Sequence, residues 1–119
     1  MKNRIKFSDQ IRERWPEDML AAMERALSAC SHRVNAECII GLGDLVLTIR
    51  LVGYTEWAYN LHVSELYLRE SVTEFGRLRL QADCQAAISR LVARQRMEQS
   101  MHLAVATPGV VPLNESERK

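Results

Sequence analysis

Residues 34–53 read VNAECIIGLGDLVLTIRLVG, and the fold class of the chain depends on how this stretch folds. Apolar residues recur in it at the spacing of one helix face, namely Cys38, Leu42, Leu45, Ile49 and Val52. Its second half, residues 45–52, is rich in β-branched residues and nearly alternating, and GLGD at 41–44 is suited to a hairpin turn. Two glycines inside a helix would cost about 1 kcal/mol each relative to alanine. The stretch therefore supports both a helix and a hairpin.

A helix is the interpretation that we favour for residues 34–53, because helical segments on either side would leave a groove for it to fill. An isolated hairpin is only marginally stable, and the rest of the sequence supplies no obvious third strand. Gly53 would end the helix as a C-terminal cap. The sequence thus predicts an all-α fold, a small dimeric bundle of about four helices. The alternative is an α+β fold with a hairpin at 36–52.

Helical periodicity is strongest on the two sides of this stretch. Pro16, with Glu17 and Asp18 behind it, is typical of a helix start and predicts a helix over residues 16–33. A second apolar stripe predicts a helix over residues 77–103 with its basic residues on the solvent side; its members are Leu80, Cys84, Ile88 and Leu91.

The domain organisation follows from these helices. Residues 1–106 are expected to form a single helical domain with a loose N-terminal arm at residues 1–7. Proline and glycine then interrupt the helical pattern, so residues 107–119 are expected to form a flexible tail.

Residues 54–75, YTEWAYNLHVSELYLRESVTEF, hold the densest aromatic cluster of the chain. Read as a helix, the segment is apolar on two sides, and such a helix must be covered twice. One side, with Trp57, would face the core of the domain. The other side would contact a partner protein or a second copy, because aromatic residues dominate the energetics of interfaces. The candidate interface residues are Tyr59, Val63, Leu66 and Tyr67.

Part of this segment resembles the helix-turn-helix unit of AraC-type regulators. The resemblance is carried by Ala58, Leu61, His62, Val63, Ser64, Tyr67, Leu68 and Gly76. It implies a recognition helix at residues 65–74, in which Glu65, Glu70 and Glu74 stand against Arg69 alone. An acidic helix face is repelled by the phosphates that dominate DNA affinity. Specific nucleic acid binding is therefore not expected, and a small helix-turn-helix DNA-binding regulator is the alternative function.

Motifs for catalysis and for metal binding are absent from the sequence. The segment Gly41-Leu42-Gly43 lacks the third glycine and the strand and helix context of a dinucleotide site. Cys30, His32 and Cys38 match no zinc module and lack a fourth ligand. We therefore expect a protein that is not an enzyme and that uses no cofactor and no metal.

Composition and charge are those of an ordinary globular chain. The 119 residues are 47% hydrophobic and 26% charged, with a formal net charge of +1. No apolar run approaches the ~20 residues that span a bilayer, and the N-terminus lacks the apolar core of a signal peptide. The three cysteines show no framework spacing, so we expect buried thiols in a reducing compartment. These features favour a cytoplasmic protein without membrane association.

The chain as a whole resembles the QslA-like anti-activators of quorum sensing in pseudomonads, small proteins that bind the transcriptional regulator LasR. The resemblance rests on overall length and on the opening at residues 1–30, MKNRIKFSDQIRERWPEDMLAAMERALSAC. It implies a helical homodimer that occupies the dimerisation surface of a transcription factor and stops it binding DNA. The expected function is therefore that of a non-catalytic regulatory protein that binds and inhibits a partner protein. Phage inhibitors and immunity proteins share this sequence profile.

Overall fold

A computed structural model describes residues 3–101 and 109–112 of the chain, and these residues form an α+β fold. The prediction of an all-α bundle is wrong, and residues 34–53 form the hairpin that the sequence left as the alternative. In chain order the elements are β1 (Ile5–Phe7), α1 (Asp9–Arg14), α2 (Glu17–Ser28), β2 (Val34–Ile40), β3 (Leu45–Leu51), β4 (Tyr54–Val63), α3 (Glu65–Glu70), α4 (Glu74–Met101) and β5 (Val110–Pro112).

The described strands form one mixed sheet in the order β1-β2-β3-β4-β5. β1 is parallel to β2, and every other neighbouring pair is antiparallel. α2 and α4 pack against each other and cover one face of the sheet, so that the buried side chains of both layers form a single cluster. The other face of the sheet is open to solvent, as is common for largely antiparallel sheets.

The hairpin replaces the favoured helix because strand alternation buries the apolar residues and helical spacing does not. In β2, Val34, Ala36 and Cys38 are buried and the residues between them are exposed. β3 alternates in the same way along its whole length. Leu42, which belonged to the proposed helix stripe, lies fully exposed in the loop between the strands. The hairpin is stable here because β1 and β4 extend the sheet on both sides.

The central segment, predicted to be helical, forms β4 in its first half and α3 in its second. Gly53 therefore turns the chain between β3 and β4 instead of capping a helix, and its φ of 83° is a left-handed value that glycine adopts without strain. The helix-turn-helix interpretation is wrong, because Ala58 and Leu61, which its first helix would contain, lie on a strand. Only the start of α3 fits, where the Ser64 hydroxyl accepts the N–H of Tyr67 at 3.1 Å.

The two long helices, α2 and α4, lie close to where the sequence predicted helices. α2 begins at Glu17, directly after Pro16, and α4 begins at Glu74. Within the predicted N-terminal arm, Ile5–Phe7 forms β1. The predicted tail lies mostly outside the described residues, and Val110–Pro112 within it pairs with β4. In the part of the chain that the structure describes, no helix combines the length and apolar character needed to cross a bilayer.

Candidate protein-binding surface

The four residues predicted to form an interface do not share a surface. Val63 is fully buried in the core. Tyr59 and Tyr67 are half-buried and pack against the core cluster. Leu66, on α3, is exposed over 66% of its surface. The structure therefore leaves Leu66 as the one member of this set with a largely free side chain.

The helical assignment of faces also fails for Trp57 and Tyr59. A helix would turn them to different sides, but on β4 they are two residues apart and project to the same side of the sheet. Both pack against the core together with Leu61, which continues the same alternation. Trp57 and Tyr59 therefore do not lie on opposite faces, one towards the core and the other towards a partner, as the helical interpretation required.

Arginines of α4 lie over three aromatic side chains of the central segment: Trp57, which the sequence had assigned to the core, and Tyr59 and Tyr67, which it had marked as partner contacts. Measured from the guanidinium carbon to the ring centroid, the pairs are Arg94 on Trp57 at 3.8 Å, Arg79 on Tyr67 at 4.6 Å and Arg90 on Tyr59 at 5.9 Å. A cation over an aromatic face is attracted by the negative charge of the ring face. These aromatic residues thus anchor α4 to β4 and α3 within the chain.

The pair at Arg94 belongs to a wider polar network. Arg94 is 2% exposed, and its Nε donates to Glu98 at 3.1 Å. The Tyr54 hydroxyl donates to the other oxygen of Glu98 at 2.7 Å. The bond from Tyr54 and those from Arg94 and Trp57 lower the pKa of Glu98 below its ordinary value, while burial and the bond to Glu98 raise the pKa of Tyr54. Glu98 is therefore ionised at neutral pH and holds α4 to the start of β4.

α3 is fixed to α4 by a second polar group. The Tyr67 hydroxyl donates to Asp83, and Arg79 pairs with Glu70 at 3.6 Å. Burial, followed by the bond to Asp83, raises the pKa of Tyr67, so its proton stays on the hydroxyl. These contacts set the angle between the two helices.

Gly76 makes the close approach of the two helices possible. A Cβ built on Gly76 would lie 1.9 Å from the carbonyl oxygen of Glu70, a distance that no side chain tolerates. The Thr73 hydroxyl accepts the N–H of Gly76 at 3.1 Å and supports the first turn of α4. The chain therefore makes a sharp corner between α3 and α4, and the residues around it project into solvent.

Three large apolar side chains are exposed at this corner, and we call them the corner patch: Val72, Phe75 and Leu78. Their exposed fractions are 46%, 81% and 50%. Phe75 and Leu78 are neighbours on the helix surface because they are three residues apart. Exposed Leu66 lies on α3 beside the same corner. The patch was not predicted from the sequence, because residues 54–75 were interpreted as one continuous helix and not as a strand followed by a helical corner.

The outer face of α4 continues the apolar character of the corner patch. One line of exposed residues on this face, spaced by three and four positions from residue 75 to 93, carries no charge: Phe75, Leu78, Ala82, Ala86, Ser89 and Ala93. A surface helix normally carries polar or charged residues along this line. Arg79 and Arg90 flank the line, and Arg94 is buried on the opposite side. Both sides of α4 are therefore apolar, and the core covers only one of them.

Reactive groups are sparse in the part of the chain that the structure describes. Cys30, Cys38 and Cys84 are free and buried, as the sequence indicated. Burial raises the pKa of Cys38 and of Cys84 to about 12, which keeps both as neutral thiols. Among the described residues, no cluster of three or more His, Cys, Asp or Glu side chains is arranged to hold a metal ion.

Comparison of the chain with models of known protein families, with curated proteins and with solved structures gives no match. The candidate surface is therefore identified from the structure of this chain alone. It consists of the corner patch and the uncharged outer face of α4 that extends from it.

Proposed function

We propose that the chain is a non-catalytic regulatory protein that binds a partner protein through the corner patch. The observation that carries the proposal is the exposure of Phe75 at 81% beside Leu78 and Val72. Burying one such side chain stabilises a complex by about 1.5–3 kcal/mol through the hydrophobic effect. Contiguous exposed apolar residues are typical of protein interaction sites.

The outer face of α4 suits a helical or groove-shaped partner surface. Phe75 and Leu78 would insert as anchors into pockets of the partner. Ala82 and Ala86, one and two turns further along, leave room for the partner backbone to approach closely. The exposed ion pair of Glu70 and Arg79 lies beside these residues and would form part of a polar rim.

The partner class that we propose is a transcriptional regulator, such as a quorum-sensing activator in the cytoplasm. This choice rests on the resemblance of the chain to QslA-like anti-activators and not on the geometry. Inhibition would follow if the corner patch covered the surface through which the regulator dimerises. DNA reading by this chain itself is not proposed, because the segment that resembled a helix-turn-helix is half strand.

A second copy of the chain is the alternative occupant of the corner patch. The sequence predicted a dimeric bundle with an interface that includes Val63, but Val63 is buried in the core. The dimer contact that we propose instead is the outer face of α4. Light scattering at micromolar concentration separates the two occupants, because a homodimer would have twice the 13.6 kDa mass of the chain.

Affinity capture with matched variants tests the proposal. Phe75→Asp places a charge in the patch, and Val52→Asp places one on a similarly uncharged, half-exposed residue in the turn after β3. Partners are captured from the native host, identified by mass spectrometry and then titrated as purified proteins. We expect Phe75→Asp to weaken binding by about tenfold or more and Val52→Asp to leave it unchanged. Equal affinity of both variants for the same partner would contradict the proposal.

A further inference from the structure

A second surface feature lies on the open face of the sheet, away from the helices and the corner patch. There β1, β2 and β3 run side by side and form a shallow cleft of about 730 Å³. Its polar lining consists of Arg4, Lys6, Asn35, Glu37, Arg50 and Thr55. This volume lies within the range of small-molecule sites in proteins.

The register of the strands brings the charges of the cleft together. Lys6 pairs with Glu37 across β1 and β2, and Asn35 pairs with Arg50 across β2 and β3. Arg4 lies two residues before Lys6 and projects to the same side. Three positive charges against the single carboxylate of Glu37 leave the cleft with a net charge of +2. The cleft is therefore suited to an anion.

Arg50 is the most constrained of these cations. It lies at the β-bulge between Ile49 and Leu51, where the pairing of β3 with β4 shifts register. Its side chain is mostly buried, and its closest carboxylate oxygen, on Glu37, is 4.0 Å away. Within the described residues its Nε is buried and has no hydrogen-bond partner. A buried donor without an acceptor is unfavourable, so Arg50 has hydrogen-bonding capacity that the described residues leave unused, and a fifth of its side chain is exposed.

We propose that this cleft binds the phosphate group of a small organic phosphate. A phosphate dianion matches the net charge of +2, and its oxygens match the planar fork of donors on Arg50. The amide of Asn35 and the hydroxyl of Thr55 supply further hydrogen bonds at the wall of the cleft. The negative charge of Glu37 would repel the bound phosphate and so lower the affinity of the cleft for it.

Nuclear magnetic resonance titrations of the full-length chain test the proposal. The probes are inorganic phosphate, adenosine monophosphate and adenosine, added at constant ionic strength. We expect both phosphates to shift the Arg50 Nε–H signal in a saturable way and adenosine to leave it in place. A shift of equal size with adenosine would show that the phosphate is not what is recognised and would overturn the proposal.

Two variants with opposite expected effects make the test independent of folding. Arg50→Gln should weaken binding of adenosine monophosphate by about tenfold or more, because it removes a charged donor. Glu37→Gln removes the repelling carboxylate and should strengthen binding severalfold. Arg25→Gln is the control, because Arg25 is exposed on α2 and does not line the cleft. If Glu37→Gln and Arg25→Gln bind alike, the cleft is not the site.

A nucleic acid would bring the same phosphate chemistry to this face, and a further titration separates the two ligands. A short single-stranded DNA should bind no more tightly than adenosine monophosphate if the site accepts one phosphate. Tighter binding, with signals shifting along the whole open face of β2, β3 and β4, would overturn the assignment to a small molecule.

Discussion

The two sides of α4 have similar composition but opposite exposure. The inner side carries Leu80, Cys84, Ile88 and Leu91, all of which are buried against α2 and the sheet. The outer side carries an uncharged line of residues from 75 to 93, flanked by Arg79 and Arg90, and this line faces solvent. Folding of the chain accounts for the inner side, because it forms the core. Folding does not account for the outer side, and the binding partner that we propose would. Substitutions on the inner side are therefore expected to change stability far more than substitutions on the outer side.

Among the polar contacts of α4, the largest effect on stability is expected on the inner side, at Arg94. Replacing Arg94 by alanine removes the stacking on Trp57 and leaves Glu98 without its arginine. Breaking a buried ion pair in this way typically costs about 3–5 kcal/mol. We expect the free energy of unfolding, measured with urea, to fall by about 3 kcal/mol or more. Arg25→Ala on the exposed side of α2 is the control and should change it by less than about 0.5 kcal/mol. A small loss for Arg94→Ala would mean that this network does not hold α4 in place.

A smaller loss is expected at Gly76, where the two helices meet. An alanine there would place its Cβ against the carbonyl oxygen of Glu70, so α3 and α4 must separate. Overpacking of this kind typically costs about 1–3 kcal/mol. Because the corner patch spans this junction, Gly76→Ala should also weaken partner binding. Normal stability together with normal binding would show that the corner is not rigid.

The pH dependence of stability tests the network at the end of α4. The pKa of Glu98 is lower in the folded chain than its ordinary value of 4.5, with the hydrogen bond from Tyr54 as the first cause. A carboxylate of this kind stabilises the fold fully above its unfolded pKa and loses this contribution as the pH falls through the folded pKa. The difference in unfolding free energy between the native chain and Glu98→Gln should therefore be constant above about pH 5 and shrink towards about pH 3. A difference that grows on acidification would contradict the account.

The smallest effect on stability is expected on the outer side, at Phe75. Phe75→Asp should change the unfolding free energy by less than about 0.5 kcal/mol, because the side chain is exposed. The matched change on the inner side, Leu80→Asp, would bury an unpaired charge and should prevent stable folding. Thermal unfolding followed by circular dichroism measures both variants. If Phe75→Asp unfolds the chain, the outer side of α4 is part of the core. That result would contradict the proposal that the corner patch is a binding surface.

The sequence predicted the helices of this fold better than its strands, for a physical reason. α2 and α4 each bury one long apolar stripe, and such a stripe has a clear helical period. In residues 34–53 the apolar residues fit both the helical period and the strand period. The strand form is stable because β4 adds a further strand to the sheet, and that strand was not predicted from the sequence. The alternation of Trp57, Tyr59, Leu61 and Val63 was a usable signal for β4, but the aromatic cluster was read as helical.

The candidate surface could be predicted from the sequence only in part. The absence of charge from residue 75 to 93 at helical spacing is visible in the sequence and marks the outer side of α4. The packing of Tyr59 and Tyr67 within the chain could not be predicted. Arg90 and Arg79 reach them only because β4 and α3 pack against α4, an arrangement that sequence spacing does not encode.

Amide hydrogen exchange of the full-length chain, with and without its captured partner, tests the central claim most directly. The account predicts that the partner slows exchange at residues 72–82, around the corner patch, and leaves the exposed face of β2 and β3 unchanged. Protection of β2 and β3, with no change at residues 72–82, would contradict the assignment of the corner patch as the binding surface.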